Sequence, residues 1–324
     1  RSTVAGSMFF SAREMKIVLI NPPDEMAQML GSGTVFVQKY EPLGLLYIAA
    51  VLRERGHEVH VIDAYAEALD EEALLVAVRQ HAPRLVGFSV LTCNGAIVWR
   101  LGKLLKQTTP ELFVVLGNVH ASVFAEDYVA HGVADLVVHG EGELLMCELC
   151  DELDGDRDWA RLTGVTYLDG AGAVQRTAGT NVVEDLDRLP MPARDLVDQS
   201  HYGLSNLSNQ NYVARGGATA KTLVTSRGCP FRCHFCVVHG NRRPRYNDAQ
   251  RVVDEMQVLQ EDYGASYVYI QDPLFMAHRE RLREICAEIG RRGLTLKWGC
   301  DAHVNYVNPE VIQVMERANC YELS

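Results

Sequence analysis

Apolar and polar positions along this chain alternate between two periods. Lys16 to Ile20 is a short apolar run that ends at the breaker Asn21-Pro22-Pro23, while Leu45 to Arg55 repeats at helical spacing and meets Gly56 where a helix would stop. Val59 to Asp63 reads as the next strand and Glu67 to His81 as the next helix. Leu85 to Leu91, Phe113 to Leu116 and Leu136 to Val138 complete five strands, and Glu143 to Leu153 is again helical. Such alternation predicts an α/β fold with a doubly wound parallel sheet over 15–150. Ligands on such sheets sit at the carboxyl ends of the strands. Those ends carry small and polar residues here: Asn21-Pro22-Pro23, Ser89 to Asn94, Gly117 to Ser122 and Gly140-Glu141-Gly142-Glu143. Glycine at such places lets a bulky ligand approach the backbone. Neither G-x-G-x-x-G nor G-x-x-x-x-G-K-S/T is present, so the dinucleotide and phosphate-loop fingerprints are missing.

Residues 151–217 read as a connector. They hold a hairpin from Gly164 to Thr177 around the turn Asp169-Gly170-Ala171-Gly172, and Leu189-Pro190-Met191-Pro192 stiffens the chain ahead of the second domain. Ser205 to Ala220 is polar and contains glycine, which suits either a mobile loop beside a site or plain disorder. Over 218–324 the alternation resumes. Strands are expected at Thr222 to Thr225, Ser266 to Gln271, Thr295 to Gly299 and Cys320 to Leu323, and helices at Asp248 to Tyr263, Arg279 to Arg292 and Pro309 to Ala318. This predicts part of a βα barrel, with chemistry at the carboxyl ends of its strands.

The chain has 324 residues, enough for two cores, and a net charge of −11, which argues against nucleic acid as its main partner. No apolar run approaches the ~18 residues of a membrane span. Residues Arg1 to Ala12 lack a secretory pattern, and Met15 to Ile20 reads as a natural start. Nine cysteines in such a chain point to a reducing, cytoplasmic compartment where thiols serve metals or chemistry. Arg227, Arg232, Arg242, Arg243 and Arg245 group around three of them. They form either a solvated loop or a rim that draws an anionic ligand.

Those three are Cys229, Cys233 and Cys236, spaced C-x3-C-x2-C directly after an apolar strand. Three thiolates can hold three irons of a cubane [4Fe-4S] cluster and leave the fourth iron without a protein ligand. An open metal position lets a small molecule bind and react. The alternatives are zinc, with His234 or His239 as fourth ligand, and a disulfide beside a free thiol. Cys147 and Cys150 form C-x-x-C on a helical stretch and read as a redox pair or as buried core thiols.

The string Thr225-Ser226-Arg227-Gly228-Cys229-Pro230-Phe231-Arg232-Cys233-His234-Phe235-Cys236 resembles the cluster motif of the radical S-adenosylmethionine (SAM) superfamily. The resemblance implies that the three cysteines ligate a [4Fe-4S] cluster whose open iron chelates SAM. An electron from an external donor of flavodoxin or ferredoxin type would then release a 5′-deoxyadenosyl radical. Phe235 matches the residue that contacts the adenine. Asp272, after the second barrel strand, accepts hydrogen bonds from SAM or substrate, or else caps the following turn. Trp298, Cys300 and Asp301 end the third strand; they either face substrate or, for Cys300, supply a core thiol.

Glu41-Pro42-Leu43-Gly44 through Leu52, Gly56-His57-Glu58-Val59 and Ile62-Asp63-Ala64 resemble the cobalamin-binding domain that precedes many radical SAM domains. Leu116 to Ala121 and Gly140 to Glu143 match later loops of the same family, with Asn118 where a second glycine is usual. The resemblance implies Asn21, Ser89, Thr92, Gly117, Asn118, His120, Gly140, Glu141 and Gly142 around cobalamin, although His120 is as well suited to satisfying backbone groups. The D-x-H-x-x-G string is missing: Asp127 to Gly132 has the residue types at the wrong spacing, and Asp301-Ala302-His303 lies in the other domain. A cobalt without a histidine below it is therefore implied.

Together these features imply a Rossmann-like cobalamin domain followed by a partial TIM-type barrel. The family barrel has six units, so the sequence reads as a fragment cut at about half of it. The implied activity is methyl transfer from cobalamin to an unactivated carbon of a small-molecule or natural-product substrate. Radical cyclisation or rearrangement, as in anaerobic tetrapyrrole cyclases, and a noncatalytic zinc or closed Fe-S module are the alternatives.

Overall fold

The computed structural model describes residues 14–25, 39–202, 219–236 and 243–324. Five strands, β1 (Lys16–Asn21), β2 (Glu58–Asp63), β3 (Leu85–Ser89), β4 (Phe113–Gly117) and β5 (Leu136–Val138), pair in parallel in the order β2-β1-β3-β4-β5. The inner strands are apolar almost throughout because both faces are covered. Helices α1 (Leu43–Glu54) and α6 (Glu143–Asp154) pack on one face. The other face takes α2 (Glu71–His81), α3 (Gly95–Thr108), α4 (Asn118–Val123) and α5 (Ala125–Ala130). Helix α2 starts at Glu71 rather than Glu67, because the Asp70 carboxylate accepts the Ala73 N–H at 2.8 Å as an N-cap. Strand β3 stops at Ser89, where Asn94 Oδ1 accepts the Leu91 N–H at 2.8 Å and turns the chain into α3.

The hairpin expected within a connector instead extends this sheet. Strand β6 (Val165–Leu168) pairs antiparallel with β5 and β7 (Val174–Arg176) antiparallel with β6, making seven strands. Val165 and Tyr167 join the α1 core, while Leu168 and Val174 pack against the opposite one. The segment after β7 is packed as well: Val183, Leu186, Leu189, Ala193, Val197 and Tyr202 are all buried in the α1 core.

In the second sheet β8 (Ala220–Leu223), β11 (Tyr267–Ile270), β12 (Lys297–Cys300) and β13 (Cys320–Leu323) are parallel neighbours in chain order. Between them lies a two-residue antiparallel ladder, β9 (Ser226–Arg227) with β10 (Arg245–Tyr246). Helices α7 (Ala249–Glu261), α8 (Arg279–Arg292) and α9 (Pro309–Arg317) cover one face, and Tyr267 and Tyr269 lie on the other. Sequential parallel order with helices on one side is how a βα barrel wall is built. The helix boundaries obey their caps: Asp248 and Asn308 accept N–H groups at the starts of α7 and α9, and Gly293 ends α8 at φ +67°.

One buried arginine fastens the halves together. The Arg194 guanidinium pairs with Glu41 ahead of α1 and with Glu255 on α7 at 2.9 Å, and it donates to the Thr222 carbonyl at 2.7 Å. All three side chains are nearly solvent-free, so removing one partner would strand a charge at a cost of about 3–5 kcal/mol. No described helix is long and apolar enough to cross a membrane.

Candidate functional site

A cavity of about 660 Å³ opens at the carboxyl ends of β1, β3, β4 and β5 and reaches the second sheet. That volume lies within the ~300–1,000 Å³ of ligand pockets. Leu43, Gly44, Tyr47 and Ile48 of α1 wall one side, and Val224, Arg227 and Gln271 close it from the barrel side. Nothing lies within 4 Å of the point where a Cβ would stand on Gly44 or Gly117, so either side chain would project into open space. Gly140 is needed for another reason. Its φ is +92°, and a Cβ there would meet the Asn181 carbonyl oxygen at 2.3 Å.

Of the residues the sequence places around cobalamin, Asn21, Ser89, Gly117, Asn118, Gly140, Glu141 and Gly142 line this space. Asn118 keeps φ +77°, a left-handed conformation that asparagine visits more readily than most residues, and its Nδ2 donates to Ser89 Oγ at 3.0 Å. The asparagine thus holds a backbone conformation that glycine adopts without strain. Thr92 and His120 are not among the residues lining the cavity. His120 sits a turn into α4 and faces the start of α3, where its Nδ1 is 3.3 Å from Thr92 Oγ1 and its ring centroid is 4.6 Å from that of Phe124. A Cβ on Gly95 would stand 2.5 Å from His120 Nε2, so the His120 ring would have to turn aside. Burial lowers the His120 pKa below the ordinary value. No histidine lines the cavity among the described residues.

Across the cavity, β9 and β10 form the neck of the cysteine loop, with Arg227 and Arg245 opposite each other. Arg227 reaches Glu143 at 2.6 Å and Glu141 at 3.3 Å, with its guanidinium 5.6 Å above the Tyr47 ring. Arg245 binds Glu141 through two nitrogens and also donates to the Val183 carbonyl. Burial works against the Glu141 carboxylate, but Arg245, the Val183 N–H and Arg227 outweigh it and hold its pKa below the usual range. Burial likewise disfavours the Arg227 cation, and Glu143 with Glu141 more than offsets it. These arginine roles escape a reading by spacing, because both acidic partners lie about a hundred residues away; the signal available was the paired acids of Gly140 to Glu143.

Asp272 is engaged within the protein. It is fully buried, and its carboxylate accepts the backbone N–H groups of Thr225 and Ser226 at 2.6 and 3.0 Å together with both their hydroxyls. A buried carboxylate must find such partners, and these occupy the oxygens that a SAM contact would need. Desolvation raises its pKa in spite of them. Its neighbour Gln271 faces the cavity instead. Trp298 and Cys300 are buried in the α7–α9 core, whereas Asp301 stays exposed and accepts the Tyr269 hydroxyl at 2.6 Å. Cys147 and Cys150 are buried too, and burial pushes the Cys147 thiol up to about 11, the condition of an inert core thiol.

Cys229, Cys233 and Cys236 are partly exposed and free of disulfides, and the Cys236 N–H donates to the Cys233 carbonyl at 3.1 Å. Phe231 stacks on His303 with centroids 4.7 Å apart, while Phe235 is 90% exposed. Among the described residues no three potential ligands are gathered at metal-binding distance. The three thiols share one loop and have the donor chemistry an iron-sulfur cluster uses. His239, Arg242 and residues 205–218 lie outside the described residues.

The B12 binding domain family model matches residues 31–150, and that of the radical SAM superfamily matches residues 223–323. The chain belongs to the radical SAM proteins that carry a B12-binding domain. Within that family it is 30% identical over 310 residues to an uncharacterized methyltransferase of Pyrococcus horikoshii, covering 95% of this chain and 64% of the relative. It is 26% identical over 320 residues to the anaerobic magnesium-protoporphyrin IX monomethyl ester cyclase of Cereibacter sphaeroides, covering 96% and 50%. The cobalamin-dependent SAM radical enzyme OxsB, solved with aqua-cobalamin and SAM bound, superposes with a TM-score of 0.76 at 19% identity, over 96% of this chain and 44% of that one. The chain thus spans about half to two thirds of the length of these radical SAM relatives.

Proposed function

We propose that this chain belongs to a cobalamin-dependent radical SAM methyltransferase. One observation carries the reading: a single cavity is bounded by the glycine-lined strand ends of the B12-binding fold and by Arg227, Val224 and Gln271 beside the cysteine loop. Two cofactors held on those two sides would act on one substrate. When bound, the cluster with SAM supplies a carbon-centred radical and cobalamin supplies the methyl group. Gly44 and Gly117 would leave room for the corrin, and Ser89 and Asn118 would offer polar contacts at its rim. Cys229, Cys233 and Cys236 supply three thiolates for the cluster, while Gln271 and the exposed Asp301 stand on the barrel side for SAM or substrate. The substrate is a small molecule, and the reductant is an external one-electron donor of flavodoxin or ferredoxin type. The likeness to the Pyrococcus methyltransferase supports methyl transfer over ring formation.

Anaerobic reconstitution with iron, sulfide and hydroxocobalamin tests this. The expected product holds about four irons per chain and one cobalamin, and Cys233→Ala removes the iron while the cobalamin stays. Zinc uptake at one equivalent without iron would sink the reading.

A further inference from the structure

Between the two proposed cofactor sites lies a group of four charged side chains paired with one another, three of which, Glu141, Glu143 and Arg227, also face the cavity. Arg227 and Arg245 face each other on the single ladder that closes the neck of the cysteine loop, so both guanidinium groups leave from one rung. Arg227 is spent on both Glu141 and Glu143 and Arg245 on Glu141, and these acids alternate with the cavity-lining Gly140 and Gly142. The side chains of Arg245 and Glu143 are only 5% and 4% exposed, and those of Arg227 and Glu141 only 18% and 19%. Pairs this dry do not loosen by degrees, because parting them leaves buried charge without a partner. The glutamate loop is itself fixed: the Glu141 N–H donates to the Asn181 carbonyl at 2.9 Å, and Glu141 Oε2 accepts the Val183 N–H at 2.7 Å. The same four residues therefore set both where the corrin-side loop stands and where the neck of the cysteine loop stands.

We propose that the Arg227/Arg245–Glu141/Glu143 cluster is a latch that couples the two cofactor sites, so that filling either one strengthens binding at the other. Arg227 and Glu143 act in it as positioning residues. The inference rests on the reading that the cavity takes cobalamin and the cysteines take a cluster. A ligand seated on Gly140 to Gly142 holds both carboxylates in the positions that receive the arginines, which docks the neck of the loop. A cluster that orders the three cysteines fixes the neck, and with it the corrin-side loop. The effect must be reciprocal, since it is one coupling free energy seen from two sites.

The test measures that coupling rather than turnover. Hydroxocobalamin dissociation constants are determined under anaerobic conditions on the full chain, once free of cluster and once loaded with iron and sulfide. The cluster is expected to tighten hydroxocobalamin by roughly 5- to 150-fold, the usual span of couplings between sites. In Glu143→Gln and in Arg227→Lys, which keep the size but break the charge or the fork geometry, the ratio should fall toward one while each form still takes up hydroxocobalamin and iron. Arg245→Lys carries the same test where either of those fails to fold. Hydrogen exchange across residues 228–236 in cluster-free protein should slow on adding hydroxocobalamin, and should not slow in Glu143→Gln. A purely structural role would weaken both affinities and leave their ratio alone. A ratio of one in the unaltered chain, or an unchanged ratio in the variants, overturns the latch. If cluster-free chain binds no hydroxocobalamin at all, the cofactor reading itself fails, and the latch with it.

Discussion

The two sheets offer a ligand opposite kinds of site. On the first, space is made by what the side chains leave out: Gly44 and Gly117 face open volume, and the strands that carry the site are packed on both faces. On the second, the expected ligands sit on a loop that joins its sheet through a two-residue ladder, the Asp272 carboxylate and one ring stack. A cradle made of backbone is complete when the sheet has folded. A set of thiols on a loop takes its final geometry from the metal it binds. The contrast teaches that the two sites should fail independently, except through the arginine latch.

Gly117→Val offers the sharpest break. Nothing lies within 4 Å of the new Cβ, so the fold has no reason to object, yet the branched side chain fills cavity space. Hydroxocobalamin affinity should fall about 100-fold, equivalent to about 2.7 kcal/mol, as read by absorbance titration. Iron content after reconstitution and the midpoint of thermal unfolding should stay near those of the unaltered chain. Retained affinity would mean that the corrin lies elsewhere, and a matching loss of iron would mean that the sites are not separable.

The clasp of the cysteine loop gives the next effect. Asp272→Ala leaves the Thr225 and Ser226 N–H groups buried with no acceptor, and each such group costs about 1–3 kcal/mol. Urea unfolding should show a loss of about 3 kcal/mol, with slower iron uptake and little change in hydroxocobalamin affinity. Asp272→Asn should lose clearly less, since its one carbonyl oxygen can still take both N–H groups. Equal losses in the two variants would show that the charge, and not the hydrogen bonds, holds the loop.

Much of this contrast was legible in the sequence, for reasons that differ between the sites. Runs such as Val59 to Asp63 and Cys320 to Leu323 declare themselves as strands because their apolar period is local, and the cysteine spacing is a local pattern too. Arrangements set by partners far along the chain are what a local pattern does not show. Gly164 to Thr177 reads correctly as a hairpin, but only the edge of β5 decides that it completes the first sheet. Thr92 and His120 stand at a strand end beside true cavity residues, yet the turn that Asn118 begins carries His120 round to Thr92. Asp272 has the position of a ligand group, but Thr225 and Ser226, more than forty residues earlier, take it up. The cradle at Gly44 sits inside the Glu41 to Leu52 stretch, where a glycine one residue into an otherwise good helix was the available clue.

The smallest effect tests what the side chain at position 118 is for. Asn118 holds φ +77° and lends its amide to Ser89, on the exposed rim of the cavity. Relief of left-handed strain on going to glycine favours the variant by up to about 1–2 kcal/mol, less for asparagine than for other residues. Greater freedom of the unfolded chain offsets about 0.5–1 kcal/mol of that, and the lost hydrogen bond removes about as much again. Asn118→Gly should therefore change stability by less than about 0.5 kcal/mol, a balance of these opposed terms. Its hydroxocobalamin affinity should stay within about threefold, under about 0.7 kcal/mol, because only the backbone conformation is needed there. A shift of tenfold or more in either direction would make the amide part of the site. The first sheet would then hold its ligand by side-chain chemistry as well as by the room its glycines leave.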